Sequence, residues 1–456
     1  MDNFRRISLR SQIVTMRQII PALLAFWIAV SIPAQAQCET IDAWIEEKLP
    51  ALLEIYKDLH AHPEVSYEEA VTSKKLADLL RDSGYEVTTD VGGHGVVAVL
   101  KNGAGPTLMI RADMDGLPVT EQTELVYASQ EEITTKDGIQ TGVMHACGHD
   151  VHMTNQIGVA WFMATHRDLW EGTLVLICQP AEERGAGAKA MLEAGLLERF
   201  PKPDQALALH VSATLPSGTI GYRAGYAMAN VDSVDITVHG RGGHGAYPQA
   251  TIDPIVQAAE LVMSLQTIVS REIKPVDPAV ITVGAIHGGA KHNVISDRCD
   301  LKLTVRSYGE KVRAQLREAI TRRANAIAQA YNAPEPTIHY SEGTPSLFND
   351  QDLAKQMVSV FRDTLGEEQV VPSEPSMGGE DFGRYGLAGV PILMFQLGSV
   401  EQKRLDRFAE LGQSPPSLHS PKYYPDIKPT LNTGLRAMIA GALDLLQAPA
   451  AADQRN

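Results

Sequence analysis

Four short apolar runs limit what this chain can fold into. They are Gly95-Val-Val-Ala-Val-Leu100, Pro106-Thr-Leu-Met-Ile-Arg111, Gly172-Thr-Leu-Val-Leu-Ile-Cys178 and Ala206-Leu-Ala-Leu-His210. Apolar throughout rather than alternating, they read as strands covered on both faces. Segments with apolar residues at helical spacing lie between and around them: Ile41 to Leu59, Tyr67 to Ser83, Asp150 to His166 and Gly185 to Leu197. Strands alternating with helices predict an α/β body around a largely parallel sheet. Three of the runs lead into chemically loaded positions: Asp113-Met-Asp115, the pair Glu182-Glu183, and His210. Such sheets bind ligands outside the carboxyl ends of their strands.

The texture changes near residue 221. Val231-Asp-Ser-Val-Asp-Ile-Thr-Val-His239 alternates apolar and polar, as a half-exposed strand does. A helix is expected at Pro254 to Val269, strands at Ala279 to Gly284 and Cys299 to Arg306, and a helix at Lys311 to Tyr331. This order predicts a small α+β domain, 221–335, inserted between two parts of the larger one, 37–220 and 336–447. Pro334 to Pro336 marks the return. The strand Pro391 to Gln396 and the helix Thr433 to Leu446 complete the larger domain, and 448–456 reads as a frayed tail.

The N-terminus is built differently. Arg5, Arg6, Arg10 and Arg17 precede an apolar run from Ile19 to Ile32, then Pro33-Ala-Gln-Ala36. Basic start, short apolar core and Ala-x-Ala ending predict a signal peptide, 1–36, cut after Ala36. The mature chain is then exported, to the periplasm or beyond, with no membrane anchor. A net charge of −15 argues against a nucleic-acid partner. Four cysteines in 456 residues do not make a disulfide framework.

Within Met144-His-Ala-Cys-Gly-His-Asp150, Cys147 and His149 are two positions apart, so on an extended segment they face the same way. A thiolate and an imidazole aimed at one spot outline a divalent-metal site. Gln179-Pro-Ala-Glu-Glu183, Leu209-His210-Val211 and Leu418-His-Ser-Pro421 add two more imidazoles, a carboxylate and a spare carboxylate beside it.

Eight motifs then fall in one order: His60-Ala-His-Pro-Glu64, Arg111-Ala-Asp-Met-Asp-Gly-Leu-Pro118, His145-Ala-Cys-Gly-His-Asp150, Glu182-Glu183, Gly242-Gly-His244, Asn293-Val-Ile295, Gly378-Gly-Glu-Asp-Phe382 and Leu418-His-Ser-Pro421. With them the chain resembles the M20 metallopeptidase superfamily, in its amidohydrolase branch, over almost the whole expected mature length. The resemblance implies a metallo-exopeptidase-like catalytic domain carrying a smaller lid and dimerisation domain. It implies two divalent ions held by Cys147, His149, Glu183, His210 and His419, with Cys147 taking part where other branches bridge with Asp. Glu182 is implied as general base, activating water and later protonating the leaving amine. His244 is implied as the group that stabilises the oxyanion, often across a dimer, and Asn293 and Arg306 as holding the substrate carboxylate. Gly378 and Gly379 resemble a substrate-facing turn. Arg111 stands where other branches carry a metal-binding His. Asp113 either buttresses a ligand or pairs with Arg111, and His145 stands near the ligands without a settled role. Ser296, where the family often has Pro, and the bulk of Tyr247 beside His244 bear on substrate choice.

The expected activity is hydrolysis of an N-acyl amino acid to a carboxylic acid and the free amino acid, by a homodimer. Zinc, manganese, cobalt and nickel all suit such ligands. The alternatives are a dipeptidase, carboxypeptidase or N-acetyl-diaminopimelate deacetylase of the same superfamily. From another class comes a non-catalytic protein that binds metal or acyl amino acid, for which Glu182 would be superfluous.

Overall fold

The computed structural model describes residues 34–341 and 343–446. All but the last residues of the expected leader, and the whole of the expected tail, lie outside that range. None of the described helices is long and apolar enough to cross a membrane.

The larger unit is built on an eight-stranded sheet. Its order is Glu86–Thr88, Val96–Asn102, Gly172–Gln179, Thr107–Asp113, Gln205–Pro216, Ile392–Val400, Ile220–Tyr222 and Val370–Pro372. The four central strands, from Gly172–Gln179 to Ile392–Val400, run parallel. Antiparallel partners flank them at Val96–Asn102 and Ile220–Tyr222. Side chains alternate between two cores, as a pleated strand requires. Leu174, Leu176 and Cys178 enter the core under the long helices, and Val175 and Ile177 enter the opposite one. Burial on both faces is why these strands are written as unbroken apolar runs.

The helices Ala34–Ala61, His149–Thr165 and Ile427–Leu445 pack together over the first face. The segment expected to be helical from Gly185 to Leu197 is two short helices, Gly187–Glu193 and Leu196–Arg199, parted by Gly195 at φ 85°. A left-handed residue cannot continue a right-handed helix. The helix expected from Tyr67 begins at Ala70, with Tyr67 itself at φ 73°. The helix expected from Thr433 begins at Ile427, with Pro429 tolerated in its first turn.

The smaller unit is a four-stranded antiparallel sheet in the order Ala279–Gly288, Arg298–Ser307, Asn230–His239, Thr337–Tyr340. Its last strand follows Pro334 to Pro336, where the sequence places the return to the larger unit. The helices Pro254–Arg271 and Glu310–Ala330 cover one face and share a separate core with it, around Leu261, Leu265, Leu301 and Leu316. Asp253 caps the first helix, accepting from the Ile255 N–H at 2.8 Å, ahead of Pro254 at its first position. Near the crossing between the units, Gly225–Met228 on the way out pairs antiparallel with Leu347–Asn349 on the way back.

Candidate metal centre and active site

The strand Thr107–Asp113 delivers Asp113 at its end and Asp115 just beyond. The strand Gly172–Gln179 leads through Pro180 and Ala181 into a 3₁₀ turn at Glu182–Arg184. The strand carrying His210 does not end there but runs on to Pro216, paired with Ile392–Val400, so His210 sits mid-strand opposite Gln396. Cys147 and His149 do not lie on an extended segment. Cys147 is in a turn, Gly148 takes φ 75°, and His149 opens the helix His149–Thr165. A Cβ on Gly148 would stand 2.5 Å from Val211 Cγ2, so only glycine fits. His419 is itself left-handed at φ 68°, its N–H bonded to the Ala146 carbonyl at 2.9 Å.

These elements converge on one spot. Cys147 Sγ lies 3.3 Å from His419 Nε2 and 3.5 Å from His210 Nε2. Glu183 Oε1 lies 3.4 Å from His419 Nε2 and 3.9 Å from His149 Nε2. Two donor triads result, Cys147–Glu183–His419 and Cys147–His149–His210, and they share the sulfur. His149 Nε2 and Glu183 Oε1 are buried without a hydrogen-bond partner among the described residues. Buried polar atoms left in that state call for an ion or water. A thiolate, three imidazoles and a carboxylate suit a divalent transition ion. Burial, with Glu183 and Glu182 nearby, pushes the Cys147 thiol well up, and burial lowers His210 and His419. A bound cation works against the first shift, since a coordinating thiol is deprotonated.

His152, which the sequence reading passed over, is also in the cluster. It cannot join the ligands, because its Nε2 accepts the Val211 N–H at 3.0 Å while its Nδ1 meets Asp113 at 2.6 Å. Its three-residue spacing from His149 on one helix face was the signal for it. His149 Nδ1 is fixed by the backbone carbonyl of Asp115 at 2.8 Å, not by Asp113. That contact leaves Nε2 free to ligate. Asp113 pairs instead with Arg111 at 2.6 Å, its second oxygen holding His152. The Arg111 guanidinium also reaches Glu380 at 2.7 Å and Asp381 at 3.1 Å, so no cation site remains between those two carboxylates.

Glu182 is 8% exposed and lies beside the His149–Glu183 side of the cluster. Burial, then the charges of Glu380 and Glu183, raise its carboxyl well above the usual range. Burial likewise brings Glu183 up to about 7, against the pull of His149. Neither is the solvated helix start that an acidic pair commonly forms. His145 is buried, both its ring nitrogens are without a partner among the described residues, and burial lowers it to about 4, so it stands neutral.

The remaining expected residues form two further groups. His244 and Asn293 come together on the smaller unit, where Gly243–His244 pairs with Val294–Ile295. Both side chains are exposed, and His244 Nδ1 accepts the Ala246 N–H at 3.0 Å, which leaves Nε2 as the donor. Arg306 donates to the Met377 carbonyl at 3.0 Å, which brings it beside Gly378 and Gly379. A Cβ on Gly379 would meet Val231 at 2.6 Å, so this turn is packed against the smaller unit. No contact among the described residues joins His244 or Asn293 to the metal-type cluster.

A family model described as peptidase family M20/M25/M40 matches residues 109–409. The chain is 37% identical to the IAA-amino acid hydrolase ILR1-like 2 of Arabidopsis thaliana, over 78% of this chain and 79% of that protein. It is 36% identical to thermostable carboxypeptidase 1 of Saccharolobus solfataricus, over 77% of this chain and 87% of the relative. Among solved structures, the YXEP protein of Bacillus subtilis, described as a dinuclear metal binding peptidase from the M20 family, superposes with a TM-score of 0.71. It is 32% identical, covering 87% of this chain and 98% of that one. Matched by the family model over most of its length, and by relatives well above 30% identity, the chain belongs to the M20 peptidase family of hydrolases.

Proposed function

We propose that the protein is a dinuclear-metal amidohydrolase that cleaves the amide of N-acyl amino acids, releasing a carboxylic acid and the free amino acid. One observation carries this reading: two donor triads share Cys147, and a buried carboxylate that is not among their ligands, Glu182, stands next to them. The plant relative, named as an IAA-amino acid hydrolase, supports an amino-acid conjugate as substrate.

Cys147, His149, Glu183, His210 and His419 would hold the ions; zinc, manganese, cobalt and nickel all suit the set. When bound, divalent ions polarise the scissile carbonyl and make water a better nucleophile. Glu182 takes the proton from the attacking water and returns it to the leaving nitrogen. His244, with Nε2–H outward, supplies a hydrogen bond to the oxyanion, and Asn293 and Arg306 receive the substrate carboxylate. Since His244 stands exposed on the smaller unit, the reaction requires that unit to close, or a second copy to offer its own. The homodimer and export to the periplasm or medium belong to the same proposal.

The test is metal-reconstituted turnover of N-acetyl, N-benzoyl and N-indoleacetyl amino acids alongside dipeptides, following free amine. Acyl amino acids are expected to be cleaved and chelator to stop it, whereas cleavage of dipeptides alone would move the protein to the peptidase reading its archaeal relative's name suggests. Glu182→Gln is expected to keep its metal and lose turnover by at least about 100-fold. Retained turnover would sink the assignment of the base.

A further inference from the structure

The first motif, His60 to Glu64, and the residues just after it have no part in the chemistry above. Their contacts lead to the catalytic turn. Three successive backbone N–H groups, those of Ala181, Glu182 and Glu183, are each received by a carboxylate oxygen. Glu69 Oε1 takes Ala181 at 2.8 Å, Asp115 Oδ1 takes Glu182 at 3.2 Å, and Asp115 Oδ2 takes Glu183 at 3.0 Å. Ser66 donates to Asp115 Oδ2 at 2.6 Å and holds that carboxylate in place. Glu69 is 0% exposed, and its Oε2 has no partner among the described residues. Ala181 needs such support, because it is left-handed at φ 51° without being glycine.

A turn of this kind aims its successive N–H groups into one concavity, the sort of nest that binds an anion. Here the protein fills the nest with its own carboxylates. The consequence falls on Glu182. The dihedral angles of Ala181 set where the next residue's side chain points, and the two carboxylates receive the N–H groups of Ala181 and of the residue after it. We infer that Glu69, with Asp115, is a positioning residue for Glu182: it holds Ala181 left-handed so that the base faces the substrate side while Glu183 faces the ligands. This rests on the proposed function for its kinetic arm only, since the conformation of the turn is measurable without substrate.

The experiment uses the metal-loaded full chain and compares Glu69→Leu, Glu69→Gln and the double variant Glu69→Leu/Ala181→Gly. Three readouts are taken: kcat and KM, metal per chain, and amide hydrogen exchange of the peptide spanning residues 178–190. Glu69→Leu is expected to lower kcat by about tenfold or more with KM and metal content unchanged, and to speed exchange in that peptide. Glu69→Gln keeps a carbonyl oxygen for the Ala181 N–H and is expected to stay near the parent. Adding Ala181→Gly is expected to recover part of kcat, because glycine adopts the left-handed conformation without strain. Should Glu69→Leu fail to fold, Glu69→Asp, which draws the oxygen back by one methylene, gives the same readouts. The inference is overturned if kcat and exchange stay at parent values, if metal is lost in proportion to kcat, or if the double variant is no better than the single. A parent protein silent on every acyl amino acid would fail the proposed function alone, and the exchange rates would still decide the positioning.

Discussion

At the scale of single residues, the cluster depends on a few backbone conformations that composition does not announce. Gly148 is the clearest. Its left-handed φ turns the chain between Cys147 and His149, and Val211 leaves no room for a Cβ. Gly148→Ala is expected to cost about 1–2 kcal/mol in backbone strain alone, with the clash in addition. Elemental analysis of dialysed protein should show fewer ions per chain, because the two donors no longer meet. Full metal content in that variant would contradict this account. The identities of the donors were legible in the sequence: a Cys, three His and a Glu in loaded places. The geometry that joins them was not. An extended Cys-x-His was the simpler expectation, and the turn into a helix N-terminus achieves the same convergence by other means. His152 was passed over because it looks ordinary alone, and Asp115 was named only as part of a loaded strand end, without a role. Their roles follow from which atoms they occupy: Nε2 of His152 already taken, the carbonyl of Asp115 orienting His149.

At the scale of elements, legibility followed burial. The central strands were readable because both faces enter apolar cores, so nothing interrupts their pattern. The short strands Ile220–Tyr222 and, at the sheet's edge, Val370–Pro372 carry too few residues for any period to show. The break at Gly195 was hidden because apolar spacing continues across it. The start of the helix at Pro254 was expected, and its cap was not named. Asp253 before Pro254 marks a helix start, and the structure places its carboxylate on the Ile255 N–H. Asp253→Ala is expected to cost about 1 kcal/mol, seen as a lower unfolding midpoint of the smaller unit with metal content unchanged. An unchanged midpoint would show that the cap contributes nothing there.

At the scale of the whole molecule, one buried contact ties together three distant segments. His60, at the end of the first helix, meets Asp150 at 2.7 Å and Glu121 at 3.1 Å. Burial opposes its charge, but the two carboxylates outweigh that and raise it from 6.5 to about 9, while both partners are held low. The sign follows from linkage: the folded state binds this proton more tightly than the unfolded one. The stabilisation is therefore complete below about pH 6.5 and is lost as pH rises through about 9. Its size is on the order of 3 kcal/mol. Unfolding midpoints measured between those pH values should fall in the parent and fall less in His60→Gln. Parallel curves would show that His60 is neutral in the folded state.

The paired strands Gly225–Met228 and Leu347–Asn349 carry a consequence for how such a chain can change. Hydrogen-bonded neighbours are only about 5 Å apart, so the outgoing and returning ends would need no more than a tight turn to be joined directly. Everything between them is a cassette with its own core. Around His244, Asn293 and Arg306, its surface, length and partners can drift while the eight-stranded sheet keeps its threading and the donor atoms keep their places. Diversification of what the protein accepts can thus proceed on one module without renegotiating the chemistry on the other.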